Sequence, residues 1–487
     1  MARQAKELSY AVRLPVLLKY FGQFCLVIGA LTLVPLGASL IFGESHLSGR
    51  YGIVTLAVGG LGFLLSRIRV ADRVQDNEAM VLAAWLFLFT PLIMSYPMMA
   101  SGLSFLDALF EAISGATTTG LSTLPTVENK PATFLFARAW MQWYGGLGIV
   151  ILSLALVVRP GLAAKGLSVS ETPEEDLVGG TKANARRALT VYSGLTGGCI
   201  LLLLLLGLNP FYAVVYALAS VSTGGFAPHN SSLAALGNWP AQGAVILFCL
   251  AGATPFAFYH SHRKRPGLTT NVLQFRTILA CGFFVTLFLS FCMWGVGGRS
   301  WFEVFRQAPL MAFSAQTTAG FSTVNVPQLD DASKLVLIFS MLLGGGIGST
   351  AGGLKILRLL ILIQILRVAI ARTSLARHAV LEPRLTGQRL PDEEIHNAML
   401  IILLFIGGVV ISWVPFVLLG YDPLDALFEV VSAMGTVGLS AGLSRPDLPA
   451  VLKGVLCVDM LMGRLEILAW IVLLYPRTWI GRRFSFS

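Results

Sequence analysis

Ten separate stretches of this chain are apolar over spanning length, set by a bilayer core that needs about 20 such residues per helix. They lie near residues 21–43, 51–66, 79–100, 131–158, 188–208, 240–258, 274–297, 335–370, 398–420 and 450–476. Backbone in lipid must satisfy its own hydrogen bonds, so these stretches commit the chain to an all-α integral membrane fold. Of 487 residues, 55% are apolar and only 12% charged, against roughly 25% charged in soluble domains. The first stretch follows a basic segment with no small-residue cleavage site and is expected to be a retained helix rather than a signal peptide.

The net charge of +10 would suit a nucleic-acid binder, but its distribution follows membrane topology. With the N-terminus assigned to the cytoplasm, Arg50, Lys130, Arg299, Arg306, Lys334, Arg445 and Lys453 fall outside. Arg138, Lys355 and Arg464 lie within or at the edge of spans. The other Lys and Arg, among them Arg67, Arg69, Arg73, Arg186, Arg187, Arg263, Lys264, Arg265, Arg372, Arg377, Arg482 and Arg483, fall inside, as the positive-inside rule requires. Membrane lipid, and no nucleic acid, is the expected surrounding. Cys25, Cys199, Cys249, Cys281, Cys292 and Cys457 stand singly in apolar stretches, which gives neither a disulfide nor a metal framework.

One motif, Thr-x-Gly-apolar, occurs four times: Thr118-Thr119-Gly120-Leu121, Thr223-Gly224-Gly225-Phe226, Thr318-Ala319-Gly320-Phe321 and Thr436-Val437-Gly438-Leu439. Glycine accepts conformations that a β-carbon forbids, so each segment can turn its carbonyls inward. Four around an axis would replace the water shell of a monovalent cation. Before the first motif stands Asp107-Ala-Leu-Phe-Glu111-Ala-Ile-Ser114, and before the fourth Asp425-Ala-Leu-Phe-Glu429-Val-Val-Ser432; both acids lie at the same distance from their glycine. The other copies have diverged. Pro210 aligns with Pro423 and Ser314 with the two serines, but Tyr212, Tyr216 and Met311 stand where acids would be. The expected unit is helix, short re-entrant helix, filter strand, helix. Its repeats divide the chain into an N-terminal two-helix extension (1–70) and pore repeats at 71–160, 161–266, 267–372 and 373–487.

These motifs, with Gly344-Gly-Gly-Ile-Gly-Ser-Thr-Ala-Gly-Gly-Leu-Lys355 and Gly463-Arg464-Leu-Glu466-Ile-Leu468, resemble the bacterial TrkH/TrkG-type potassium-uptake subunits of the Trk/Ktr/HKT superfamily over nearly the whole chain. The resemblance implies potassium uptake across the cell inner membrane, with the ion as substrate and no organic cofactor. It also implies a homodimer with one pore per protomer, on a cytoplasmic ring of nucleotide-binding TrkA-type subunits. Thr436-Val437-Gly438 matches the start of the potassium-channel filter TVGYG, whereas Leu121, Phe226, Phe321 and Leu439 replace its Tyr; a shorter filter with weaker discrimination against sodium is expected.

Gly344, Gly345, Gly346, Gly348, Gly352 and Gly353 are dense enough to break a helix. A P-loop needs Gly-Lys-Ser/Thr, which is missing here. The alternative to a mobile loop crossing the pore is close helix packing through small residues; the loop is preferred, as the resemblance implies, and is expected to be held by a few polar contacts. Arg464 lies mid-span, where a charge is unfavourable by about 2.5–3.5 kcal/mol, and neither Asp459 nor Glu466 has the spacing to face it. It is read as a cation barrier at the inner pore, against the alternative of a structural ion pair; Lys355 would act likewise or snorkel. Arg138, beside Trp140 and Trp143, reads as an interface anchor.

A partner would meet the basic inner loops at Arg186, Arg187, Arg263 to Arg265 and Arg372 to Arg389. His260 and His262 read as a solvated face. Two other classes compete with a potassium subunit: a secondary transporter coupling cation or solute movement to protons or sodium, and a membrane-embedded enzyme. Four repeats running in one direction disfavour the first, since transporters of that kind carry inverted repeats. The absence of HExxH, GxSxG and concentrated carboxylates disfavours the second.

Overall fold

The computed structural model describes residues 11–70, 74–156, 177–259, 269–374 and 381–480, which are mostly helical. Arg73, Arg263 to Arg265, Arg377, Arg482, Arg483, His260 and His262 lie outside them. The chain opens with a helical hairpin, α1 (Leu14–Ile41) and α2 (Ser45–Ser66). Glycines let its arms touch: a β-carbon on Gly62 would lie 2.8 Å from the Gly22 carbonyl oxygen, the small-residue packing that helices use in lipid. Arg13, just ahead of α1, pairs with Glu78 (Nε–Oε1 2.8 Å) and ties the hairpin to the third helix.

From there one pattern runs four times: long helix, short helix, non-helical segment, second helix. It comprises α3 (Asp76–Met98), α4 (Phe105–Ala116) and α5 (Ala132–Leu156); then α6 (Leu177–Leu205), α7 (Pro210–Val221) and α8 (Trp239–Ala253). Next come α9 (Thr270–Gly295), α10 (Trp301–Gln316), α11 (Asp331–Leu343) and its continuation α12 (Ile356–Arg372). The last set is α13 (Asp392–Leu418), α14 (Pro423–Met434), α15 (Ala450–Arg464) and α16 (Ile467–Leu474). A two-residue ribbon, β1 (Arg384–Leu385) with β2 (Gln388–Arg389), lies between α12 and α13. Among the described residues, six helical segments, in α1, α2, α3, α6, α9 and α13, are long and apolar enough to cross a membrane.

The short helices have 12, 12, 16 and 12 residues, about 18–24 Å at 1.5 Å per residue and so short of a 30 Å core. Each begins on a side-chain cap: Ser104, Asn209, Ser300 and Asp422 accept hydrogen bonds from first-turn amides. Their C-terminal halves are buried, with Phe110 and Phe428 fully enclosed.

Besides the 335–370 stretch, interrupted between Leu343 and Ile356, two of the expected spans are not continuous. The 240–258 stretch leaves α8 at Thr254, which is extended (φ −78°, ψ 138°) because the following Pro255 disfavours helix at that position. The 450–476 stretch breaks at Leu465 and Glu466, both extended. Arg464 is therefore the last residue of α15, at a break in this stretch rather than inside a continuous helix. Lys334 and Lys453, assigned to the outer side, are buried in ion pairs that join the third unit to the fourth and the fourth to the first: Lys334 Nζ lies 2.6 Å from Asp425 of α14, and Lys453 Nζ 2.6 Å from Asp107 of α4.

Candidate functional site

Two residues beyond the end of each short helix stands a Thr held in the left-handed region: Thr118 (φ 54°), Thr223 (51°), Thr318 (54°) and Thr436 (49°). Two residues on, Gly120, Gly225, Gly320 and Gly438 have φ of 92°, 80°, 70° and 94°. A β-branched residue there is an outlier costing about 1–3 kcal/mol, so four in register mark a backbone held by its surroundings. The intervening amides of Thr119, Gly224, Ala319 and Val437 return to carbonyls of Ser114, Ala219, Ser314 and Ser432 at 2.8–2.9 Å. In the first and fourth segments the serine hydroxyl also accepts the glycine amide, at 3.0 Å in each.

The four segments close on one another. A β-carbon on Gly120 would collide with the carbonyl oxygen of Gly224, one on Gly225 with that of Ala319, one on Gly320 with that of Val437, and one on Gly438 with that of Thr119. First touches second, second third, third fourth, and fourth first: a ring of backbone with no room for side chains at its glycines. The C-terminal ends of all four short helices immediately precede it, each equivalent to roughly half a negative charge. The hydroxyl oxygens of Thr118 and Thr436 are buried without a hydrogen-bond partner. Among the described residues no group of three His, Cys, Asp or Glu side chains could hold a metal. The ring instead offers neutral oxygens, which is the ligand set of an alkali cation.

A cavity of about 720 Å³ opens over the ring, and all four glycines line it. Of the apolar residues after them, Phe226 and Leu439 also line it, whereas Leu121 and Phe321 do not; all four are buried. Beyond them the chain is fastened back to its own short helix. Glu111 accepts from Ser122 Oγ (2.5 Å) and the Thr123 amide (3.1 Å); Glu429 accepts from Ser440 Oγ and from the Ala441 and Ser444 amides. Tyr216 and Met311, in the positions of these acids, do the same work: Tyr216 Oη donates to the Ser232 carbonyl (3.0 Å), and Met311 Sδ takes the Thr323 amide (3.3 Å).

Arg138 is not an interface anchor. It is 2% exposed, pairs with Glu111 (Nε–Oε2 2.9 Å), lies 3.8 Å from the Phe226 ring centroid and lines the cavity. An unpaired charge could not be buried this deeply, so the sequence reading erred by treating the acid and the base separately.

On the other side of the ring runs the glycine-rich loop between α11 and α12. Gly344, Gly348 and Gly353 have positive φ, and the loop is bonded throughout, contrary to the expectation of a few contacts. The Gly346 and Thr350 amides donate to the carbonyls of Ala253 (3.0 Å) and Gly252 (3.1 Å) where α8 ends. The Gly352 amide donates to Thr318 Oγ1 (2.7 Å), and Gln316 Nε2 donates to the Gly344 carbonyl (2.9 Å). Thr350 Oγ1 meets Thr223 Oγ1 at 3.2 Å, and a β-carbon on Gly352 would collide with Thr436 Oγ1 and the Gly435 carbonyl; Gly345 and Gly346 pack as closely on Ala351 and Pro255. Arg464 has carbonyl partners: Nη1 donates to Thr350 (2.6 Å) and Nη2 to Gly145 (3.4 Å). Lys355 Nζ donates to the Ala351 carbonyl, and Glu466 pairs with Arg358.

Ring, loop and Arg464 are thus brought together, with Lys355 at the loop's exit. Arg186, Arg384 and Arg389 are exposed. Gln142, Gln316 and Thr350 were missed by sequence reading; the signal for Gln142 was a polar residue one helical turn from Arg138 in an otherwise apolar helix.

The family model described as TrkH, cation transport protein, matches residues 48–478. An uncharacterized cation transporter, MJ1485, from Methanocaldococcus jannaschii is 29% identical, with 94% of each chain covered. The Trk system potassium uptake protein TrkG of Escherichia coli is 28% identical over 86% of this chain and 89% of its own. The Trk system potassium uptake protein TrkH of Vibrio parahaemolyticus is 29% identical over 77% of this chain and 80% of its own. In structure, the chain is similar to the crystal structure of the potassium transporter TrkH from Vibrio parahaemolyticus, with a TM-score of 0.84 and 24% identity over 96% of this chain and all of that one.

Proposed function

The chain belongs to the TrkH family of cation transport proteins, and from that premise we propose that it is a multi-pass potassium-uptake subunit of a bacterial inner membrane. The observation that carries this reading is the closed ring of four Thr-x-Gly segments beneath a shared cavity. Potassium enters from the cavity and exchanges water for the carbonyls around Gly120, Gly225, Gly320 and Gly438. The negative ends of four helices hold the cation without a fixed anion that would trap it, and Thr118 and Thr436 hydroxyls supply further oxygens on the inner side. In this reading there are ten membrane-crossing elements: an N-terminal helical pair, and behind it eight that form four pore repeats.

The loop from Gly344 to Gly353 is the gate and Arg464 its cation barrier. The loop touches three ring threonines and blocks the inner exit, and Arg464 is bonded to it through the Thr350 carbonyl and to α5 through the Gly145 carbonyl, neutral partners that leave its positive charge uncancelled. Opening requires the loop's bonds to α8 and to the ring to be exchanged. A nucleotide-binding cytoplasmic partner, docked on the exposed arginines of a homodimer, would supply the differential contacts that such a shift needs. The test is rubidium uptake with sodium competition in a strain lacking other uptake systems. Replacement of each ring glycine by Ser lowers discrimination against sodium in all four variants; unchanged discrimination in all four would reject the filter.

A further inference from the structure

The second ring segment is the least restrained by its own sequence. Where the others carry Thr119, Ala319 and Val437, it has Gly224, followed at once by Gly225. Where Ser114 and Ser432 hold the glycine amide of their segments, it has Ala219, which lacks a hydroxyl. Two adjacent glycines have the widest backbone freedom of any pair, yet Gly225 keeps the same left-handed φ as its counterparts.

The missing restraints come from another unit. Gln142 of α5 is fully buried, and its Nε2 donates to the Gly224 carbonyl (2.5 Å) while its Oε1 accepts the Phe226 amide (3.1 Å). Its carboxamide occupies the space where a side chain on Gly224 would be, so that a β-carbon there would collide with it. Arg138, one turn earlier on the same helix face, lies over the Phe226 ring. The Gly224 oxygen is the one that abuts Gly120 in the ring.

We propose that Gln142 is a positioning residue for ion selectivity: by bonding the Gly224 carbonyl it keeps that oxygen from closing on a cation smaller than potassium. This rests on the ring being the selectivity filter. A carbonyl between two glycines can swing inward at little cost, and a swing toward sodium would offset the tighter hydration of the smaller ion. The amide bond opposes that swing in the one segment unable to oppose it unaided.

The test uses the full-length chain in a strain lacking other uptake systems, reading sodium inhibition of rubidium uptake. Gln142→Met fills the same space without either bond, and Gln142→Asn keeps the amide but is too short to reach; Gly438→Ser runs beside them as the filter control. The half-inhibitory sodium concentration should fall roughly fivefold in both Gln142 variants, about what one lost hydrogen bond is worth, with maximal rubidium uptake much less affected. Loss of uptake and wild-type sodium sensitivity in whichever Gln142 variant folds overturns the proposal, since a merely structural side chain changes the amount of flux and not its ion preference. In that case a shifted Gly438→Ser control leaves the filter standing, and unshifted Ser variants at all four ring glycines remove the filter with it.

Discussion

The first and fourth ring segments are fastened by carboxylates, the second and third by a phenol and a thioether, yet all four have the same backbone. Glu111 and Glu429 each gather donors from the descending chain, whereas Tyr216 reaches a carbonyl and Met311 takes a single amide. What is kept between the units is the backbone conformation and the closure of its polar groups, not the residue that provides it.

The contrast can be broken first at its most charged point. Glu111→Gln leaves Arg138 buried without its anion and should destabilise the protein by about 3–5 kcal/mol, read as a fall in the unfolding midpoint in detergent. Met311→Leu, which conserves volume and removes one weak acceptor, should cost less than about 1.5 kcal/mol. Equal losses would mean that the acid and the thioether are not doing the same work by different means.

A second comparison sets the ring against the loop. Arg464→Ala, or deletion of one glycine between Gly344 and Gly346, should raise partner-independent rubidium uptake several-fold while sodium competition stays as in the wild type. Abolished uptake in protein that inserts and folds would make both of them supports for the ring.

The remaining clasps, one within the second unit and two between units, give smaller effects. Tyr216→Phe loses the bonds to the Ser232 carbonyl and to His229 Nδ1 and should cost about 1–2 kcal/mol. Lys453→Met and Lys334→Met release Asp107 and Asp425, which are about a fifth to a quarter exposed, so water compensates them and each should cost about 1 kcal/mol or less. Thermal unfolding of the single variants measures all three.

How much of this was legible follows the same contrast. The Asp and Glu shared by α4 and α14 stand at equal distances from their glycines, so the first and fourth units announce each other in sequence. The second and third do so only through Thr-x-Gly, because a Tyr and a Met closing the same hydrogen bond share no pattern with Glu. The break after α8 had a local signal in Pro255 and was read through. The break at Leu465 and Glu466 has neither Gly nor Pro within it; it depends on Gly463 lying against the Met434 carbonyl and on Arg464 reaching Thr350, contacts from elsewhere in the chain. Gln142 left only the faint mark of a polar residue one turn from Arg138, for a related reason, since its partners are 82 and 84 residues away.

Anomalous diffraction from crystals of the full-length protein grown in rubidium or thallium addresses the ring itself. The account predicts heavy-ion peaks on the axis between Gly120, Gly225, Gly320 and Gly438, within coordination distance of carbonyls from all four segments. Strong peaks elsewhere in the membrane region, with none on that axis, would contradict it.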